Sequence, residues 1–105
     1  MTQYSIYYAP PVEKELASIP RKQAAKIMKK IDRLAQPPWP NTVKKYSGID
    51  FYGMRVGDYR VVFLVRDNDI IIAHVVLRRD LQSLTKRIDP DEFVTWLRQR
   101  LAEQE

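Results

Sequence analysis

Two arginines, Arg55 and Arg60, flank a Gly57-Asp58 pair inside the stretch Phe51–Arg66, and their spacing has a chemical consequence. The stretch reads as two β-strands. On the first arm Tyr52, Met54 and Val56 point to one face, and Gly53 and Arg55 to the other. A two-residue turn at Gly57-Asp58, with glycine first as a type II′ turn prefers, fixes the register. Val56 then faces Tyr59, Arg55 faces Arg60, Met54 faces Val61 and Tyr52 faces Phe63. One face of this hairpin is apolar, and the other sets two guanidinium groups directly opposite each other. Like charges so placed destabilise a strand pair by roughly 0.2–1 kcal/mol. That arrangement does nothing for a fold, but it suits an anion site. The competing reading leaves both side chains solvated at the hairpin end beside Asp58.

The chain around this hairpin has 105 residues, enough for a single small domain spanning 1–105 and one core. It is 45% hydrophobic and 30% charged, which fits a folded globular chain and argues against disorder. With no cysteine and one histidine, it offers neither disulfides nor the usual metal clusters, so no cofactor or metal is expected. No apolar run approaches the roughly 20 residues of a membrane span, and no signal-peptide pattern opens the chain. A cytoplasmic protein with no membrane partner is expected. The net charge of +5 favours an anionic partner, with nucleic acid the first candidate.

The positioning elements follow from pattern. Tyr4–Tyr8 is short and β-prone, and Pro10-Pro11 ends it. Val12, Leu16 and Ile19 recur at helical spacing up to Pro20. A second amphipathic helix follows, with Ala24, Ile27, Met28, Ile31, Leu34 and Ala35 on one side. Its other side carries Lys22, Lys26, Lys29, Lys30 and Arg33, balanced only by Asp32. This stripe is either a solvated face or a contact for RNA backbone. Prolines at 37, 38 and 40 enforce a loop, in which Trp39 is read as an anchor rather than a base-stacking platform. Val43-Lys44-Lys45-Tyr46-Ser47-Gly48 leads into the hairpin.

After a turn at 66–69, Ile70–Leu77 forms an unbroken apolar strand covered on both faces. His74 falls on the face of Val61 and Phe63 in regular register, as a satisfied core histidine. Asp89-Pro90-Asp91-Glu92 caps a C-terminal helix whose stripe is Phe93, Val94, Leu97 and Leu101. The resulting class is α+β, in the order β-α-α-β-β-β-α. A twisted, mainly antiparallel sheet carries the α-hairpin on one face, with the arginines on the other.

With its N-terminal strand, helical hairpin and the run Tyr52-Gly53-Met54-Arg55-Val56-Gly57-Asp58-Tyr59-Arg60-Val61-Val62-Phe63, the chain resembles the RelE/ParE toxin superfamily. The resemblance implies a toxin of a bacterial type II toxin–antitoxin system, held in a hetero-oligomer by a cognate acidic antitoxin. The RelE branch cleaves messenger RNA in the ribosomal A site, by attack of the 2′-hydroxyl on the scissile phosphate. The ParE branch poisons DNA gyrase.

In RelE-type enzymes the catalytic groups are basic residues on the concave sheet face, often joined by a tyrosine. The two basic positions before the turn fall here on Gly53 and Arg55, and the one after it on Arg60. The last falls on Arg78 or Arg79. A two-residue turn near 67–69 pairs even with odd positions, which selects Arg79, so Arg55, Arg60 and Arg79 form the expected catalytic set. Arg79 held by Asp80 or by a C-terminal helix acid is the alternative. Lys44, Lys45, Arg78 and Lys86 join the helix lysines as RNA-binding candidates.

Two departures stand out. Gly53 leaves a basic position empty, and Gln82, Ser83, Leu84 and Thr85 occupy the neighbourhood where the family's C-terminal tyrosine is expected. Arginine clamps phosphate well but is a poor base. The acid–base pair is incomplete unless the ribosome or Lys86 supplies the missing groups. Three functions follow: a ribosome-dependent endoribonuclease, a gyrase inhibitor of the ParE kind, or an inactive relative that still binds an antitoxin.

Overall fold

A computed structural model of the chain describes residues 3–104. Strand β1 (Ser5–Tyr8) leads into helices α1 (Pro10–Ala17) and α2 (Arg21–Asp32), which ends in a 3-10 turn at Arg33–Ala35. Strands β2 (Val43–Lys45), β3 (Tyr52–Val56), β4 (Tyr59–Arg66) and β5 (Asp69–Leu77) follow, then helices α3 (Arg78–Thr85) and α4 (Pro90–Glu103). The strands form one sheet in the order β1-β5-β4-β3-β2, parallel between β1 and β5 and antiparallel elsewhere. Two elements go beyond the sequence pattern: β2, which extends the sheet past the hairpin, and α3, which follows β5 without a loop.

The central hairpin has the expected register, with Val56 opposite Tyr59, Arg55 opposite Arg60, Met54 opposite Val61 and Tyr52 opposite Phe63. Gly57 takes φ +59 and Asp58 stays out of the positive-φ region, which is the backbone of a type II′ turn. The β4–β5 turn places Asp67 at φ +55, a conformation that aspartate tolerates better than most residues.

Each face of the sheet carries its own apolar layer. Under the α1–α2 hairpin lie Val12, Ile27, Ile31, Met54, Val61, Phe63, Ile70 and Ile72, all buried. The loop after α2 closes this layer through Trp39, whose indole N–H donates to the Leu34 carbonyl at 2.9 Å while its ring meets Tyr4, Tyr52 and Phe63. On the opposite face Phe51, Val62, Leu64, Ile71 and Ala73 are buried beneath Leu84 of α3 and Phe93 and Leu97 of α4. The Asp89 carboxylate accepts the Asp91 backbone N–H at 3.0 Å, so α4 begins at the expected cap. β5 is thus covered on both sides, as its unbroken apolar run requires.

The regular register of β5 fails at one point. Phe63 pairs with Ile72, but Val62 pairs with His74, so Ala73 is an extra residue in a β-bulge. From there on the pairing is even with even: Arg60 lies opposite Val76. His74 therefore leaves the hairpin-side face and meets Phe93 edge-to-face at 5.9 Å between ring centres. Its Nδ1 lies 2.8 Å from Glu15 Oε2, while Glu15 Oε1 accepts the Val75 N–H at 2.8 Å. This carboxylate from α1 satisfies the edge of β5 beyond the point where β1 stops pairing with it.

Candidate functional site

The sheet face opposite the α-hairpin is packed under α3 and α4 at one side and open at the other. Alternation puts Lys44, Gly53, Arg55 and Arg60 on the open part, with Lys44 directly across from Gly53 and Arg55 across from Arg60. Arg60 is positioned by its own turn: Nη1 donates to the Gly57 carbonyl at 3.2 Å and to the Tyr59 carbonyl at 3.0 Å. Nε and Nη2 have no partner among the described residues. Neither Arg55 nor Arg60 forms an ion pair with Asp58, so the neighbouring carboxylate does not neutralise the pair.

The site has a member that the sequence did not reveal. Tyr46, just past β2, lays its ring across Gly53, and a Cβ built on that glycine would fall inside the phenol. The glycine, having no side chain, is what lets the hydroxyl end of the tyrosine come this close to the strand. Burial pushes the Tyr46 phenol above the usual tyrosine value, against a smaller downward pull from the Arg60 guanidinium. The phenol is therefore protonated at neutral pH and acts as a donor. A glycine inside a β-strand was the available signal, since it marks a close approach by another group.

Beside this ring a cleft of about 400 Å3 opens between Tyr46, Ser47 and Ile49 on one wall and Arg78, Leu81, Gln82 and Thr85 on the other. Arg78 is held there by its backbone, whose N–H donates to the Asp58 carbonyl at 2.8 Å. The parity that selected Arg79 does not survive the bulge. Past Ala73 the even-numbered residues of β5 lie on the Arg60 side, and the strand ends at Leu77. Arg78 thus lines the cleft as the first residue of α3, and Arg79 is an exposed residue of that helix. Arg79 makes no ion pair with Asp80 or with an acid of α4.

The other basic candidates lie elsewhere. Lys45 is opposite Tyr52 and so belongs to the α-hairpin face. Lys86 is exposed at the end of α3. Lys22, Lys26 and Lys29 are exposed along α2, with Lys30 half-buried beside them, and Arg33 is exposed in the 3-10 turn that follows. A broad cleft of about 1100 Å3 runs between Lys26, Lys29, Lys30, Arg33 and Pro38. Because α2 packs on the hairpin-side layer, this basic strip is separated from the arginine pair by the thickness of the sheet. His74, bound to Glu15 and packed on Phe93, is a structural residue.

Chemically, the arrangement offers the paired Arg55 and Arg60 guanidinium groups for an oxyanion, Arg78 along the neighbouring cleft, the Lys44 ammonium on the same face, and a phenol that holds its proton. Arginine forks match the oxygens of a phosphate. Nothing in the cluster is a neutral base.

Residues 6–82 match the profile of the family described as ParE toxin of type II toxin–antitoxin system, parDE. No curated protein matches the chain by sequence. Among solved structures, a chain of the archaeal RelE–RelB complex from Pyrococcus horikoshii OT3 is similar with a TM-score of 0.61 and 28% identity, over 73% of this chain and 97% of that one. A chain of the RelB–RelE antitoxin–toxin complex from Methanococcus jannaschii gives a TM-score of 0.62 and 25% identity, over 72% of this chain and 94% of that one. The intact RelBE toxin–antitoxin complex of E. coli contributes a chain with a TM-score of 0.58 and 20% identity, over 69% of this chain and 93% of the other. The fold is RelE-like, a five-stranded mixed sheet with four α-helices.

Proposed function

The chain belongs to the ParE toxin family of type II toxin–antitoxin systems, within the RelE/ParE superfamily, and from that premise we propose that it is a ribosome-dependent endoribonuclease. It cuts messenger RNA in the A site in the cytoplasm, and a cognate acidic antitoxin bound in a hetero-oligomer neutralises it. One observation carries this reading: Arg55 and Arg60 are paired across an open sheet face with no carboxylate between them. In the reaction the message's 2′-hydroxyl attacks the adjacent phosphorus, and negative charge grows on the non-bridging oxygens. Arg60 and Arg55 stabilise that charge, with Arg78 at the cleft wall. The α2 lysines and Arg33 hold the RNA of the ribosome through its backbone. The similar chains come from toxin–antitoxin complexes, which supports a bound antitoxin here. Among the described residues no helix is long and apolar enough to cross a membrane.

Inhibition of gyrase is the second reading, favoured by the family's description and by the basic position that Gly53 leaves empty. One experiment separates the two: induce the chain in cells, map transcript ends, and assay gyrase supercoiling in parallel. Breaks within translated codons support the ribonuclease, and trapped gyrase–DNA complexes support the inhibitor. Growth arrest with neither refutes both, and no arrest at all points to an inactive relative.

A further inference from the structure

We infer that Tyr46, laid over Gly53 beside Arg60 and the Arg78 cleft, is a catalytic residue that donates the proton taken up by the leaving 5′-oxygen. This deepens the ribonuclease reading and rests on it. Three observations place the phenol there. Its hydroxyl end occupies the very space that a side chain on Gly53 would fill, so it stands on the sheet face of Arg55 and Arg60. Its side chain lines the same cleft of about 400 Å3 that Arg78 lines. Its backbone is fixed by the β2–β3 connection, where its N–H donates to the Phe51 carbonyl at 2.9 Å. Burial keeps the phenol protonated, and the nearby Arg60 charge steadies the phenolate that forms when the proton leaves.

The step balances without a metal or a redox partner. The 2′-oxygen forms a bond to phosphorus and its proton passes to water. The bond from phosphorus to the 5′-oxygen breaks, its electron pair leaves on that oxygen, and the Tyr46 proton is transferred there. The phenolate then takes a proton from solvent. The products are a 2′,3′-cyclic phosphate and a 5′-hydroxyl end. A sheet position that carries no side chain is thereby served from the β2–β3 connection.

The test compares Tyr46→Phe with the parent in single-turnover cleavage of message on programmed ribosomes, at saturating ribosome concentration. Phenylalanine keeps the ring over Gly53 and removes only the hydroxyl. Two messages are used, one natural and one with sulfur replacing the bridging 5′-oxygen at the scissile position. Sulfur leaves as a thiolate and needs no proton. A general acid contributes about 10²–10⁴-fold, so Tyr46→Phe is expected to cut the natural message at least about 10²-fold more slowly and the sulfur message at nearly the parental rate. Gly53→Ala, which keeps the phenol but pushes it off its place, is expected to show the same asymmetry. Parental cleavage of the natural message by Tyr46→Phe overturns the inference. So does an equal loss on both messages. A parent that cuts neither message overturns the ribonuclease reading itself, and the role of Tyr46 falls with it.

Discussion

Arg60→Ala separates a catalytic arginine from a structural one, because the two roles predict changes of different size in different quantities. In the folded chain Arg60 stands opposite Arg55, and its Nη1 bonds only the Gly57 and Tyr59 carbonyls at the hairpin end. Removing it relieves a like-charge cross-strand pair, a gain of about 0.2–1 kcal/mol. The two carbonyls lose a donor, but they lie at a turn where water replaces it. The net change in folding free energy should stay within about 1 kcal/mol in either direction. Removing a donor aimed at transition-state charge costs about 10²–10³ in rate, or about 2.7–4 kcal/mol of barrier. The assay is single-turnover cleavage at saturating ribosomes, read beside chemical denaturation of the same protein. Arg60→Ala should be nearly as stable as the parent and at least about 10²-fold slower once bound. Arg60→Lys should recover only part of the rate, because an ammonium cannot make the bidentate contact. An Arg60→Ala protein that cleaves at the parental rate once bound would remove the arginine from the mechanism.

Lys26→Ala combined with Lys30→Ala should do the reverse, weakening ribosome affinity with a shallower salt dependence while leaving the bound cleavage rate nearly intact; an affinity titration at two salt concentrations checks this. Glu15→Ala leaves the Val75 N–H without its acceptor at the buried edge of β5 and should cost about 1–3 kcal/mol in urea unfolding, with little effect on the bound cleavage rate. Burial, and secondarily Asp67, raises the Asp69 pKa above its ordinary value. The folded protein therefore holds this proton more tightly than the unfolded chain, so Asp69 subtracts stability as pH rises through its unfolded and then its folded pKa. Asp69→Asn should accordingly raise Tm at pH 7 and leave it unchanged at a pH below both values; an equal rise at both would refute the linkage.

The hairpin was legible because three local signals agree there: strict alternation, a glycine able to take φ +59, and a two-residue loop that leaves no freedom of register. The Asp89 cap and the Trp39 anchor were legible for the same kind of reason, each being a local device with one use. The bulge was not. Ile70–Leu77 is apolar at nearly every position, so a one-residue slip leaves no trace in the hydrophobic pattern, and parity carried through that run points to Arg79 where Arg78 lines the cleft. Helix α3 hid behind the charged triplet Arg78-Arg79-Asp80, although Leu77, Leu81, Leu84 and Ile88 recur at helical spacing through it. In the sequence Gly53 shows only as a missing side chain. Its meaning depends on a residue seven positions earlier that reaches it only when β2 pairs with β3, and no period in the sequence encodes that.

The face shared by Arg55 and Arg60 is roofed over β5 and part of β4 by α3 and α4, which bury Val62, Leu64, Ile71 and Ala73. The roof ends where the side chains on that face become polar. The bulge at Ala73 helps to set that boundary. It takes His74 away from the hairpin-side layer, where an imidazole would lie among Val61, Phe63 and Ile72, and hands it to Glu15. It also brings Val76 opposite Arg60, so that the chain enters α3 with Arg78 at the cleft. On the far side of the site, Gly53 gives up a side chain, and β2 with the residue after it brings Lys44 and Tyr46 to the same patch. An irregular register on one strand and a missing side chain on another thus border the stretch of sheet face that Lys44, Arg55 and Arg60 share with the Tyr46 phenol.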